Sequence, residues 1–336
     1  MALGLTYEKG VGVDVDDKRA ADLYRGACDA GLPRGCNQLG AVTDEGKGVP
    51  AQDHALAASL YERACDGGYI PACSNLSTCY QQGSGVSKAP EVAAALAHRA
   101  CDAGDGDGCA NLALAHAMGI GAAQDLEKAA LLYARACDLG SAKGCYQHGR
   151  TLVAHSSSTA DELEAVRSFE SACRGEIADG CYELARLTEQ GTGVDDDPVE
   201  VMRLYSRACT LRSALACAHI GDQYRLGSGG FEQSDALALT SYRLACTDGD
   251  GGSCDRVGAA YEGGHGVAYD VVMAATQYKQ ACDLGSVDGC IDYAVCLRDG
   301  DGVPRDLRRA KALLASLCDG GAHSSRACNK LDALGK

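Results

Sequence analysis

"YERACDGGYIPAC" spans residues 61–73, "YARACDLGSAKGC" residues 133–145 and "YKQACDLGSVDGC" residues 278–290. In each phrase a tyrosine precedes the first of two cysteines by four positions, and the cysteines stand eight apart. The phrase is periodic. First cysteines fall at Cys28, Cys65, Cys101, Cys137, Cys173, Cys209, Cys246, Cys282 and Cys318, separated by 36 or 37 residues throughout. Second cysteines follow eight later at Cys36, Cys73, Cys109, Cys145, Cys181, Cys217, Cys254 and Cys290, and the last pair widens to ten, ending at Cys328. Eighteen of the twenty cysteines obey this rule. Self-similarity at a fixed period of about 20–50 residues is the signature of a stacked-repeat architecture.

Other positions keep step. Eight residues before each first Cys stands Ala20, Ala57, Ala93, Ala129, Ala165, Val201, Ala238, Ala274 or Ala310. Four residues before it stands a ring in most repeats (Tyr24, Tyr61, Tyr133, Phe169, Tyr205, Tyr242, Tyr278), with Ala97 and Leu314 as exceptions. Positions four apart share one face of a helix, so this stripe is predicted to be its buried side. After the second Cys, "CNQLG", "CSNLS", "CANLA", "CYELA" and "CIDYA" open another helix. That helix runs out at "EGKGV", "QGSGV", "QGTGV", "GGHGV" or "DGDGV", where glycine supplies the left-handed cap. Each unit is therefore predicted to be two antiparallel helices of roughly 11–15 residues. The glycine turns lack the strand and GK[ST] of a phosphate loop, and "AGDGDG" at 103–108 lacks the spacing of a calcium loop.

Composition narrows the function classes. The chain has 336 residues, 46% of them hydrophobic, no Trp and two Phe, which favours close packing of thin elements over a thick centre. Its net charge of −15 and the lack of any Lys/Arg run argue against nucleic acid or an anionic membrane as partner. No apolar stretch approaches the roughly 18 residues of a membrane span, and "MALGLTYEKG" does not read as a signal peptide.

"LGLTYEKGVGVDVDDKRAADLYRGACDAG", residues 3–31, resembles a Sel1-like repeat, a cousin of the tetratricopeptide repeat, and the likeness extends over essentially the whole chain. It implies an all-α, right-handed α-solenoid of about nine αα-hairpins, a single domain over 1–336, and a role as an adaptor for proteins. On this reading the first repeat is truncated, 150–215 is irregular because "LVAHSSSTADE" replaces the Gly turn, and 319–336 is a capping half-repeat. The cysteine pair is similar to that of the Helicobacter cysteine-rich protein family, in which it bridges helices as a disulfide; a mitochondrial assembly factor for cytochrome oxidase is another cysteine-bearing relative. The Helicobacter likeness also implies an alternative function, penicillin binding or weak β-lactamase activity. No S-x-x-K, G-x-S-x-G, K-T-G or H-E-x-x-H occurs to carry it, so no catalytic residue is assigned.

The first Cys closes one helix and the second opens the next, so their sulfurs can face across a short turn. Nine sequential bridges are expected, Cys28–Cys36 through Cys318–Cys328, with reduced thiols and a metal set as alternatives. Zinc wants four ligands at close spacing, which two thiols every 36 residues do not offer. Bridges at this density imply a secreted or periplasmic location, with the export signal absent from this chain. Cys79 and Cys296, six residues after a repeat cysteine, are expected to be packed free thiols. No cofactor or metal is expected.

The tetratricopeptide likeness places one helix of each pair on a concave face. Two residues after each second Cys stand Gln38, Asn75, Asn111 and Gln147, then Glu183, His219, Arg256 and Asp292. Amides hold this position in the four N-terminal repeats only. Gln38, Asn75, Asn111 and Gln147, flanked by Tyr146 and Arg150, are the expected contacts to a protein or peptide ligand, made by a monomeric chain.

Overall fold

The computed structural model describes residues 2–155, 158–192, 197–319 and 325–333. Among them are nineteen helices and no strand. The chain packs as two compact units, Met1–Gly175 and Glu176–Lys336. The first holds α1 (Ala2–Lys9), α2 (Asp17–Asp29), α3 (Pro33–Glu45), α4 (His54–Asp66), α5 (Ile70–Gln82), α6 (Pro90–Asp102), α7 (Gly106–Met118), α8 (Leu126–Asp138), α9 (Ala142–His155) and α10 (Thr159–Arg174). The second holds α11 (Ala178–Glu189), α12 (Pro198–Thr210), α13 (Ala214–Leu226), α14 (Asp235–Thr247), α15 (Gly251–Gly263), α16 (Val271–Asp283), α17 (Val287–Asp299), α18 (Leu307–Asp319) and α19 (Ser325–Ala333). Both units are all-α stacks of αα-hairpins, the solenoid architecture that the 36-residue period implies.

The even helices bury the predicted stripe: Ala20, Tyr24 and Cys28 are at most 1% exposed. Each ring packs where the previous odd helix has no bulk. A Cβ on Gly40 would lie 2.8 Å from the Tyr61 ring, so the glycine of "CNQLG" is there for close approach. The buried hydroxyls need acceptors, and a carboxylate from the preceding odd helix supplies one: Tyr205 donates to Glu189 at 2.7 Å and Tyr278 to Glu262 at 2.6 Å.

The two glycines of each turn serve different needs. Gly46 (φ 72°) caps α3 in the left-handed conformation. Gly48 lies against the backbone at the start of α2, where a Cβ would come within 2.0 Å of the Asp17 carbonyl oxygen. Tight repeat stacking therefore requires the second glycine. The aspartate that follows the turn is an N-cap: Asp53 accepts from the Leu56 N–H, Asp125 from the Lys128 N–H.

Eight bridges join sequential partners, from Cys28–Cys36 to Cys318–Cys328, with Cα atoms 4.3–4.9 Å apart. Cys173 and Cys181 are disulfide-bonded as well. Each of the eight ties an even helix to the odd helix after it. In the first unit a second tie runs beside them: Arg63, Arg99 and Arg135 donate to the carbonyls of Cys28, Cys65 and Cys101, one repeat back, at 2.8–3.1 Å. Cys79 and Cys296 are free and buried, and burial pushes both thiols up to about 11, so neither is a thiolate at neutral pH. Alkylation without reductant is expected to label these two after denaturation and neither before it. Labelling of any other cysteine would contradict the bridge set.

Departures from the repeat cluster between residues 142 and 251. Helices α9 and α10 run 14 and 16 residues against the usual thirteen. Glu176 (φ 62°) and Arg212 (φ 71°) hold a left-handed turn position that glycine holds in other repeats, including Gly140 and Gly249. A further departure, the turn "GSGGFEQS" at 227–234, was not anticipated from the sequence. Of the expected capping half-repeat, 320–324 and 334–336 lie outside the described residues.

Candidate functional site

In the first unit α3 lies against α5, α5 against α7 and α7 against α9, while the even helices show no comparable contact with one another among the described residues. The odd helices are thus the closely spaced inner row. Between successive inner helices the even helix recedes, and a groove opens over its Ala/Tyr stripe. Three such grooves share one register. The floor comes from the ring four before the first Cys, joined in two of the three by the alanine eight before it. One wall comes from positions eight and nine after the second Cys of the earlier helix. The facing wall comes from positions two, five and six after the second Cys of the later one.

What changes is the wall chemistry. Between α3 and α5 a cavity of about 310 Å³ is lined by Tyr61, Asp44 and Glu45 on one side and Asn75, Thr78 and Gln82 on the other. Between α7 and α9 a cavity of about 400 Å³ lies over Ala129 and Tyr133, with Ala117 on one wall and Gln147, Arg150 and Thr151 on the other. In the second unit the groove between α13 and α15, about 470 Å³, is walled by Arg225 and Arg256 over Ala238 and Tyr242.

The structure distributes the six expected ligand contacts unevenly. Asn75, Gln147 and Arg150 line grooves. Gln38 and Asn111 are half-buried on inner helices. Tyr146 packs against Phe169, ring centroids 6.2 Å apart, with the Arg150 guanidinium 5.7 Å over its own face. Two of the amides are already engaged between repeats. Asn75 Nδ2 donates to Asn37 Oδ1 at 2.9 Å, and Asn111 Nδ2 donates to the Ser74 carbonyl at 3.0 Å and to Thr78 Oγ1 at 3.3 Å. Their side-chain carbonyls have no partner among the described residues, so what they offer a ligand is an acceptor.

At the same register in the second unit the residues are charged or aromatic. His219 stacks on Tyr205, ring centroids 4.0 Å apart, and burial holds it below the usual imidazole range despite Glu189 at 3.6 Å. The sequence pattern marked the position two after the second Cys. It did not reveal the opposing wall, because those side chains come from the previous repeat.

Among the described residues no group of His, Cys, Asp and Glu could hold a metal ion, and no helix is long and apolar enough to cross a membrane. The Sel1 repeat model matches residues 1–32, 33–69, 70–105, 106–141, 178–213, 252–286 and 287–321, leaving 322–336 and the two internal stretches 142–177 and 214–251, where the repeat departs from its norm. None of the curated proteins matches the chain. A protective antigen of uropathogenic Escherichia coli strains, displaying an SLR fold, is 25% identical with a TM-score of 0.67, covering 99% of this chain and 71% of its own. A Sel1 repeat protein from Oxalobacter formigenes is 23% identical with a TM-score of 0.65, covering 93% of this chain and 90% of its own. Helicobacter pylori cysteine-rich protein B is 26% identical over 40% of this chain and 96% of its own, with a TM-score of 0.33. With the family model spread over most of its length, the chain belongs to the Sel1 repeat family.

Proposed function

We propose that the protein is a non-enzymatic scaffold of an oxidising compartment, secreted or periplasmic, that holds an extended peptide segment of a partner along the inner helices of its first unit. One observation carries this reading: grooves recur in one register over the same tyrosine position while their wall residues vary from repeat to repeat. A packing element has no need of such variation, whereas a surface that reads a partner does. Asn75 and Asn111, anchored through their Nδ2 atoms, present fixed Oδ1 acceptors to the N–H groups of a peptide backbone. Gln147 and Arg150 add a side-chain clamp over Tyr133. The bridges support the compartment, since disulfides at this density persist where the medium is oxidising. No observation favours the penicillin-binding alternative.

The test is peptide binding by the full chain, with partners selected from a displayed library of random heptapeptides. Asn75→Ala combined with Asn111→Ala is expected to weaken the selected peptides about ten-fold, two acceptor hydrogen bonds being lost. Because both amides also tie repeats together, Gln147→Ala serves as a second variant free of that tie, expected to weaken binding several-fold at unchanged stability. Unchanged affinity in both variants would remove the first unit's inner helices from the binding surface.

A further inference from the structure

The largest of the three grooves gathers cationic side chains on an acidic chain, with carboxylates standing among them. The protein carries a net charge of −15, yet the walls between α13 and α15 bring Arg225, Arg256 and His265 together over an apolar floor of Ala238, Leu239 and Tyr242. Two carboxylates answer them. Asp235 lies 4.0 Å from His265, and Asp222 lies 3.3 Å from Arg256 and 3.8 Å from Arg225. Those separations exceed the roughly 2.7–2.9 Å of a charge-assisted hydrogen bond. Asp222 is held in place by the Tyr242 hydroxyl, which donates at 2.7 Å to the same Oδ1 that Arg225 faces. The arginines therefore share one counter-ion, which stands beyond charge-assisted hydrogen-bond distance of both. Arg256 is also positioned in advance, its guanidinium 5.3 Å over the Tyr242 ring.

We propose that this groove binds the carboxylate of an acidic peptide, an Asp or Glu side chain flanked by an aliphatic one. The carboxylate meets both guanidiniums, whose planar forks suit bidentate recognition, and the aliphatic neighbour covers the Ala238/Leu239 floor. A peptide fits better than a bare anion because a free phosphate would leave that floor wet. At about 470 Å³ the space is within the range of small-ligand sites. The proposal deepens the scaffold reading by naming the chemistry of one segment of the partner, and it lies in the second unit, whereas the amides belong to the first.

The same random heptapeptide library, panned on the full chain, separates the two. Selected peptides are expected to be enriched in Asp or Glu beside Leu, Ile or Val. Combining Arg225→Gln with Arg256→Gln is expected to abolish that enrichment and to weaken the selected acidic peptides about ten-fold or more in titration. Asp222→Asn, which keeps an acceptor for Tyr242 and removes the competing charge, is expected to tighten them several-fold. The Asn75→Ala, Asn111→Ala variant should leave the acidic preference unchanged. Selection without acidic enrichment, the same enrichment in the double arginine variant, weaker binding in Asp222→Asn, or equal displacement by inorganic phosphate each overturns the carboxylate site and leaves the scaffold reading standing. If the wild-type chain enriches no peptide at all, the scaffold reading falls, and this site with it.

Discussion

Reduction of the bridges is expected to lower the melting temperature far more than any single substitution while leaving most of the helical signal at low temperature. Each bridge closes a short loop between an even helix and the next odd one, and restricting the unfolded chain in this way contributes about 2–3 kcal/mol. The contributions will not add across the set, because each helix pair contacts only its neighbours and loses coupling locally. Helix content survives because the Ala/Tyr stripe of each even helix remains buried against its neighbours. Position along the array decides the size of a single loss. Removing Cys137–Cys145 uncouples α8 from α9 within the first unit, with stacked helices on both sides. Removing Cys318–Cys328 releases only α19. The Cys137→Ala/Cys145→Ala pair is therefore expected to lower the melting temperature by about 5–10 °C and the Cys318→Ala/Cys328→Ala pair by less than half of that. Equal shifts in calorimetry, or collapse of the far-ultraviolet circular dichroism on reduction at 20 °C, would show that the bridges do not act as local couplers.

How much of this was legible beforehand follows the range of the interactions. Everything set within one repeat could be read: the helix lengths, the Ala/Tyr/Cys stripe, the left-handed cap at Gly46, the pairing of Cys28 with Cys36. Contacts made one repeat away were only half visible. The glycine at Gly48 was marked as a turn residue, but its reason is the Asp17 carbonyl some thirty residues earlier. The arginine two before Cys65, Cys101 and Cys137 recurs in plain sight, yet its acceptor is a carbonyl and leaves no side-chain signature. The groove is likewise a property of two repeats. Asn75 could be singled out from its own phrase, whereas Asp44 opposite it belongs to the previous one. The sequence also presented the amides as free clamps, and the structure gives Asn75 and Asn111 a stacking bond as well.

That stacking bond has a charged counterpart in the second unit. Asn37 stands one residue after its second Cys and Asn75 two residues after the next, and they meet between α3 and α5. Asp255 and Asp292 occupy the same two positions between α15 and α17, which are likewise packed together. Two carboxylates now stand where an amide donor met an amide acceptor. Asp255 Oδ1 is buried without a hydrogen-bond partner. Asp292 is better served, since Arg326 donates to it at 2.6 Å and to Asp288 at 2.8 Å. Burial, then the charges of Asp292 and Asp288, opposed by Arg326 and Arg256, push Asp255 up to about 6. Burial, with Glu262 and Asp288 adding to it against Arg326, raises Asp292 too. An unfolded aspartate titrates near 3.9, so between about 4 and 6 the folded chain binds more protons than the unfolded one, and stability falls as pH rises through that window. Asp255→Asn removes the repulsion, gives Asp292 a donor and leaves the Arg326 pair intact. A shift of this size corresponds to roughly 3 kcal/mol, and solvent access to the site reduces the expected gain to about 1.5 kcal/mol at pH 7. Below pH 4 the variant and the wild type should be equally stable, because both then carry a neutral group at 255. Asn37→Asp combined with Asn75→Asp is the reciprocal change: it sets two carboxylates at the positions that Asp255 and Asp292 hold and should install the same pH dependence in the first unit. Denaturant melts of the three proteins from pH 4 to pH 8 decide the matter. A gain from Asp255→Asn that is the same at both ends of the range would mean that the wild-type pair is not held together by a shared proton.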